Sequence, residues 1–425
     1  MSSKEGASLR ILDRQLEKLP TEVVFCRNCV VSNQRPRTRF DQNGICSACG
    51  WAREKDHVVD WEKRAKELEA LCDRYRSKDG GFDVVVPGSG GKDSGTVAHQ
   101  LKARYGMNPL CVTWSPFEYT DIGWKNLQSF VGSGFTNILG QPDGRLHRKL
   151  TRLAFELKGD PWEPFTFGQK AWAFHVAVRF GIKLIMYGEN GELEYGGSEK
   201  YKDRPCESPE EWTEFYFKGA GVDELVTVGL ERGLLREDEV LPKKLELYKS
   251  PPPDVVERSG VQMHWYSYYH KWVPEENYYY AVNNTGFQPN PEGRSEGTYT
   301  KYVSLDDKLD GFHWYLSFMK FGMGRASRDV QTDIRRHHVT RDEGIALVTR
   351  YDGEFPKRHF RWFLDYCDIT EQFFWEACDL YRSHSNVWKK ENGEWYLMYS
   401  IPDKGGQPAK PSPISHSALM ARRWK

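Results

Sequence analysis

Between Phe82 and Tyr187 short apolar runs alternate with longer stretches whose apolar residues recur at helical spacing. The runs, near 82–87, 109–114, 135–140 and 182–187, have the length of buried strands. The stretches between them predict helices over 94–105, 121–132, 145–158 and 168–180. Strands alternating with helices imply an α/β parallel sheet covered on both faces, with ligands beyond the carboxyl ends of the strands, where strand order reverses. Ahead of the first strand, Trp61 to Tyr75 places apolar residues at helical spacing among many charges, and Ser77-Lys78-Asp79-Gly80-Gly81 then punctuates the chain. A linker helix is expected there.

The pattern changes at Ser250-Pro251-Pro252-Pro253-Asp254, because three consecutive prolines continue neither helix nor sheet. From His264 to Tyr280 nearly half of the residues are aromatic. Such a stripe suits core packing, and aromatics also hold sugars and nucleobases, so both readings stand. The tail after Asp403, with Gly405-Gly406, Pro408, Pro411 and Pro413, reads as mobile. The expected division is a four-cysteine ribbon over 1–55 and a sheet domain with its linker helix over 56–249. A mainly helical, aromatic-rich substrate or cover region over 250–403 and a flexible tail over 404–425 complete it.

A chain of 425 residues, 39% hydrophobic and 14% aromatic, can bury the cores of two or three domains. Sixty Lys and Arg balance sixty Asp and Glu. No global field would therefore draw the chain to nucleic acid or to an anionic membrane, and individually recognised small substrates fit better. Neither a signal-peptide pattern nor an apolar run of membrane-spanning length is visible, and a cytoplasmic location is expected.

Among nine cysteines, Cys26-x2-Cys29 and Cys46-x2-Cys49 lie sixteen residues apart. Two such knuckles can place four thiolates around one Zn²⁺, and a closed shell of four cysteines points to a structural rather than a catalytic ion. Redox or iron–sulfur use of the same spacing is the alternative. Cys72, Cys111, Cys206, Cys367 and Cys378 have no ligand spacing and are expected to be buried free thiols.

The strongest chemical signal follows the first strand: Gly88-Ser89-Gly90-Gly91-Lys92-Asp93-Ser94. Glycines let backbone N–H groups close around an anion, Lys92 and the hydroxyls of Ser89 and Ser94 add donors, and the next helix begins there. Spacing excludes a Walker loop, which needs Ser or Thr directly after the lysine, and a dinucleotide fingerprint, which needs glycine where Asp93 stands. The loop resembles the PP-loop of ATP pyrophosphatases. That resemblance implies an adenine nucleotide alpha hydrolase-like sheet, ATP held by residues 88–94, Mg²⁺ at Asp93, and cleavage of ATP to AMP and pyrophosphate. It also implies backbone contact with adenine near Thr113, at the end of the second strand.

A second turn, Gly188 to Gly197, follows the strand at 182–187 and sets three carboxylates among glycines. Its shape is similar to the Gly-Asp-Gly-x-Asp-Glu-Leu-x-Gly-Gly stretch of asparagine synthetase. Glu189 and Glu192 are candidates for metal binding or for accepting a proton from an attacking amine, with Gly188 and Asn190 beside the nucleotide. A solvated acidic loop is the plainer alternative. Lys320 and Arg325 could neutralise pyrophosphate or a substrate carboxylate, or could be solvated helix-end charges. Arg335, Arg336, His337, His338 and Arg341 read as an exposed basic face.

Together the four-cysteine ribbon, Ser32-Asn33-Gln34-Arg35-Pro36-Arg37, the loop at 88–94, Gly188-Glu189-Asn190 and the Lys320 to Arg325 segment resemble the N-acetyl sugar amidotransferases of pseudaminic acid and related surface-glycan pathways. The resemblance implies conversion of a sugar acetamido group to an acetamidino group through an adenylated amide. The acceptor would be an N-acetylated sugar or nucleotide sugar. No persuasive Cys-His-Glu constellation is present and Met1 is followed by Ser2, so no glutaminase is expected within the chain. Ammonia would come from a separate glutaminase with a channel subunit. A PP-loop tRNA thiolase and a non-catalytic zinc-ribbon ATP-binding scaffold are the competing readings; the neutral charge argues against the first and the intact Lys92-Asp93-Ser94 against the second.

Overall fold

The computed structural model describes residues 11–212, 216–401 and 405–421. Five parallel strands form its central sheet: β1 (Val84–Pro87), β2 (Pro109–Trp114), β3 (Thr136–Gly140), β4 (Leu184–Tyr187) and β5 (Gln262–Trp265), in the order β3-β2-β1-β4-β5. Strand order reverses between β1 and β4, where Val85 pairs with Ile185. The helices are α1 (Ser47–His57), α2 (Trp61–Tyr75), α3 (Lys92–Ala103), α4 (Asp121–Gly132), α5 (Gly144–Lys158), α6 (Glu163–Phe180) and the single turn α7 (Gly191–Glu194).

The strand pleat explains the continuous apolar runs. Val85, Leu110, Val112 and Ile185 face Ala173, Phe174 and Ala177 of α6. Val84, Val86, Cys111, Leu184 and Met186 face Val97, Ala98 and Leu101 of α3, and Leu68 and Leu71 of α2. With both faces covered, no polar alternation survives.

The triple proline does not end the sheet. Beyond it β5 pairs with β4 (Leu184 with Gln262, Tyr187 with Trp265), and the helix Pro274–Thr285 packs on α3. The aromatic stripe supplies core on both faces: Trp265 belongs to one, and Tyr266, Tyr269 and Trp272 to the other. The sheet unit thus extends past the expected boundary at 250.

The C-terminal region gathers Phe312, Phe363 and Phe374 from three helices with Trp388, Trp395 and Leu397 of an antiparallel sheet, β6 (Trp388–Glu391), β7 (Glu394–Leu397) and β8 (Ile414–Ser415). Val23 and Phe25, just ahead of the cysteines, sit in this core.

The described part of the tail is ordered, contrary to expectation. Gly406 N donates to Phe25 O and Ala409 N to Val23 O, both at 2.7 Å, and β8 pairs with β7. Prolines there spare a backbone strand from further pairing, as edge positions allow. In the basic run at 335–341 His337 and His338 are exposed as expected, but the arginines differ: Arg335 and Arg336 bond to Glu194, and Arg341 donates to the carbonyls of Cys29 and Cys26. These arginines lie between the cysteine unit and the second turn rather than in solvent. Removing residues 405–425 should therefore lower the thermal midpoint and release bound zinc several-fold faster to a chromogenic chelator.

Candidate active site and metal centre

The four cysteines meet the geometric demand of a metal. All four Sγ atoms lie within 4.8 Å of one another and are buried. The Cys26–Cys49 and Cys29–Cys46 sulfurs are 3.9 and 3.7 Å apart. A tetrahedron with metal–sulfur bonds of about 2.3 Å has edges of about 3.8 Å, which zinc thiolate sites require. Backbone N–H groups of Asn28 and Cys46 point at Cys26 Sγ, both at 3.3 Å, and Asn28 Nδ2 donates to Cys49 Sγ at 3.3 Å. Donors aimed at sulfur favour thiolate, so the residues present fit a structural zinc. Among the described residues no other group of His, Cys, Asp or Glu is gathered closely enough to share an ion.

This unit clamps the second turn. Lys55, near the end of α1, pairs with Glu194 at 2.6 Å, both side chains buried, and Trp51 Nε1 donates to the same carboxylate. Arg37 pairs with Glu192, and Ser47 Oγ donates to Gly196 O at 2.8 Å. Burial pushes the Lys55 ammonium down to about 8, although Glu194 opposes it.

The glycine loop has the shape its sequence promised. A Cβ at Gly88 would stand 2.2 Å from the Cβ of Ser94, and Gly90, at φ +80°, would put one 2.7 Å from the Leu127 Cα. Only glycine fits either place. Gly91 caps α3 without a side chain, leaving the first-turn N–H groups uncovered. Lys92 Nζ pairs with Asp93 at 2.6 Å, and Asn277 Nδ2 donates to Asp93 Oδ1 at 2.9 Å.

A cavity of about 710 Å³ opens over the carboxyl ends of β1 and β4. Gly88, Ser89, Gly91, Lys92, Asp93, Ser94, Gly188, Glu189 and Arg325 line it, so the two turns and part of the C-terminal region share one space. Its size suits a nucleotide beside a second small molecule. Other proposed residues lie behind this lining. Thr113 Oγ1 donates to Gly88 O (2.6 Å) and braces the loop from below. Asn190 is buried and caps α7 by accepting from Glu192 N. Glu192 is held by Arg37 and Ser198 N, which removes it from metal or base duty at the cavity. Lys320 is buried against Asp13 at 2.8 Å and the Lys158 carbonyl, away from the lining.

The structure adds residues that the sequence reading left without a role. Asp306, held where Thr120 N donates to its carbonyl, accepts from Ser89 Oγ at 2.5 Å and thus faces the cradle. Burial lifts its carboxyl to about 6, and Asp310 and Asp93 add to the shift. Asp352 binds Gly324 N and Ser327 at the start of the helix Arg325–Arg335, which aims Arg325 and Arg328 into the cavity. Arg325 pairs with Asp329 and stands 4.8 Å from the Trp314 ring; Arg328 pairs with Glu189 at 3.3 Å and lies 4.0 Å over Tyr195. Glu189 also accepts from the Tyr195 hydroxyl at 2.6 Å. Arg35 Nη1 is buried without a hydrogen-bond partner, and burial, with Arg328 and Arg335 nearby, pushes the guanidinium down to about 9. A cationic wall with stacking rings thus stands in the same cavity as the glycine cradle. The one available signal for these positions was arginine recurring three apart at 325 and 328 beside glycine.

Cys72, Cys111, Cys206, Cys367 and Cys378 are absent from the lining, and burial pushes the thiols of Cys72 and Cys111 up to about 12.

Residues 296–401 match the family described as LPS biosynthesis protein WbpG-like, C-terminal domain. An uncharacterized protein of Methanocaldococcus jannaschii, MJ1599, is 30% identical over 88 residues, 20% of this chain and 31% of its own length. The chain thus spans about a third of that curated relative. The domain match supports a role in glycan biosynthesis, and it contains Asp306, Trp314, Arg325 and Arg328 of the cavity wall. Among the described residues no helix is long and apolar enough to cross a membrane.

Two outcomes test this arrangement. Glu194→Gln strands buried Lys55 and should cost about 3–5 kcal/mol in chemical denaturation. Asp306→Asn should tighten binding of inorganic pyrophosphate about five-fold at pH 8, where the native carboxylate is charged and repels it, a like-charge effect of about 1 kcal/mol. At pH 5 that carboxyl is already protonated, so titration calorimetry should find native and variant alike.

Proposed function

We propose that this protein is an ATP-dependent amidotransferase that converts the acetamido group of a sugar to an acetamidino group in surface-glycan biosynthesis. One observation carries the reading: a phosphate cradle and the wall built from the WbpG-like segment enclose the same cavity. A cradle alone would serve many ATP users. A glycan-type wall joined to it supports a sugar as the group being activated.

Loop N–H groups, Ser89, Ser94 and Lys92 would hold the phosphates of ATP, and Asp93 would hold Mg²⁺, which would offset charge on the departing pyrophosphate. Mg²⁺ needs few protein carboxylates when phosphates supply ligands, and among the described residues no tight acidic cluster stands around the loop. An amide carbonyl is a poor electrophile; its adenylation supplies a leaving group, and ammonia then displaces AMP. Arg35, Arg325 and Arg328, with Trp314 and Tyr195, would hold the sugar or its nucleotide by charge and stacking. Ammonia would reach the site from a separate glutaminase and channel subunit. The tRNA thiolase reading gains no support, since the free cysteines sit apart from the cavity.

Mass spectrometry after incubation with ATP, Mg²⁺, ammonium and a panel of N-acetylated nucleotide sugars and nonulosonic acids tests the reading. AMP with a product carrying NH in place of the acetamido oxygen is expected. AMP absent throughout, with added tRNA becoming thiolated, would replace it. Asp93→Ala should reduce AMP release by at least about 100-fold while retaining one zinc per chain by atomic absorption.

A further inference from the structure

Lys170 stands in the middle of α6, one turn from Phe167, Ala173 and Phe174, and is buried at the cavity wall. Its ammonium lies 3.6 Å from the ring centre of Tyr216, 4.6 Å from that of Tyr187, and 4.9 Å from those of Trp212 and Trp265. Among the described residues its nitrogen has no hydrogen-bond acceptor. A lysine that only filled space would direct its nitrogen to a carbonyl, as Lys158 and Lys320 do. Lys170 instead meets ring faces on several sides and the cavity on another.

The groups acting on it are Glu207 and Glu189, the first bonded to Asn190 at 2.9 Å and the second to Tyr195 and Arg328. Glu189 is already engaged by the Arg328 guanidinium and the Tyr195 hydroxyl. Burial, partly offset by Glu207 and Glu189, pushes the Lys170 amine down to about 7, while the ring faces make its protonated form tolerable. It can therefore gain and lose a proton near neutral pH.

We propose that Lys170 is the proton acceptor that turns ammonium into the attacking ammonia. This rests on the amidotransferase reading. The neutral amine takes one proton from NH₄⁺, giving NH₃ and a lysine ammonium. The freed lone pair forms a C–N bond to the activated amide carbon as the C–O bond to AMP breaks. The amide nitrogen gives up its proton to water as its oxygen is adenylated, so the three ammonia hydrogens end on the two nitrogens of the amidinium product, and the proton on Lys170 returns to water through the cavity.

The test compares native protein, Lys170→Met and Lys170→Arg in AMP release with ATP, Mg²⁺ and the acetamido sugar that serves the native protein. Ammonium chloride and hydroxylamine, which is largely neutral at pH 7, serve in turn as the nitrogen source. With ammonium at pH 7 both variants should lose about 100-fold. With hydroxylamine they should stay within about three-fold of native. Equal loss with both nucleophiles, or no loss, overturns the proposal. An inactive native protein overturns the parent reading and this one with it. Independently, the ¹³Cε signal of Lys170, assigned by its absence in Lys170→Met, should titrate between about pH 6 and 8. A midpoint above about pH 9 overturns the proposal whatever the turnover.

Discussion

Much of the site depends on the buried pair between Lys55 and Glu194 and its neighbour between Arg37 and Glu192. Each joins the cysteine unit to the turn after β4. Two charges taken from water hold their place only if each meets the other with good geometry, and losing one leaves the second stranded. The pairs therefore act less as glue than as a registration mark. They fix where Gly188 and Glu189 stand relative to the glycine loop on the neighbouring strand. A metal held by the four thiolates would make the anchoring side rigid, and α1 joins that side to the turn at the cavity.

Charge is distributed with purpose around the cavity. Of the acidic side chains in the lining, Glu189 is engaged by Arg328, Asp93 by Lys92 and Asp160 by Lys218, while burial raises Asp306 toward neutrality. Cations on the opposite wall include Arg35, which has an unpaired nitrogen. The net result is a space that tolerates anions at two places, the cradle and the arginine wall, within a chain whose overall charge is zero. Local arrangement, not a global field, places cations beside the glycine loop and along one wall, with carboxylates between them.

Four of the five strands were legible because buried parallel strands write themselves as apolar runs. The fifth was hidden: Gln262-Met263-His264-Trp265 is short, carries polar residues, and follows three prolines that read as a boundary. The glycine loop was legible because its backbone demands those residues. Glu192, Asn190, Thr113 and Lys320 stand out along the chain, but the sequence does not reveal which partner each side chain meets. Arg37 occupies Glu192, Glu207 occupies Asn190, Gly88 occupies Thr113 and Asp13 occupies Lys320, and Arg37 and Asp13 are remote in the chain. Lys170 carried a signal of its own, a charge in mid-helix among apolar neighbours.

The pairing of Phe25 and Val23 with Gly406 and Ala409 has a consequence for how the chain is made. The cysteine ligands are synthesised well before residues 406–409, which cover the segment preceding them. Until then the N-terminal unit has neither its backbone partners nor the aromatic core beneath Val23 and Phe25. Contacts of such sequence separation form late. Closure of this backbone pairing behind the cysteine unit therefore follows, rather than precedes, the making of the chain between them.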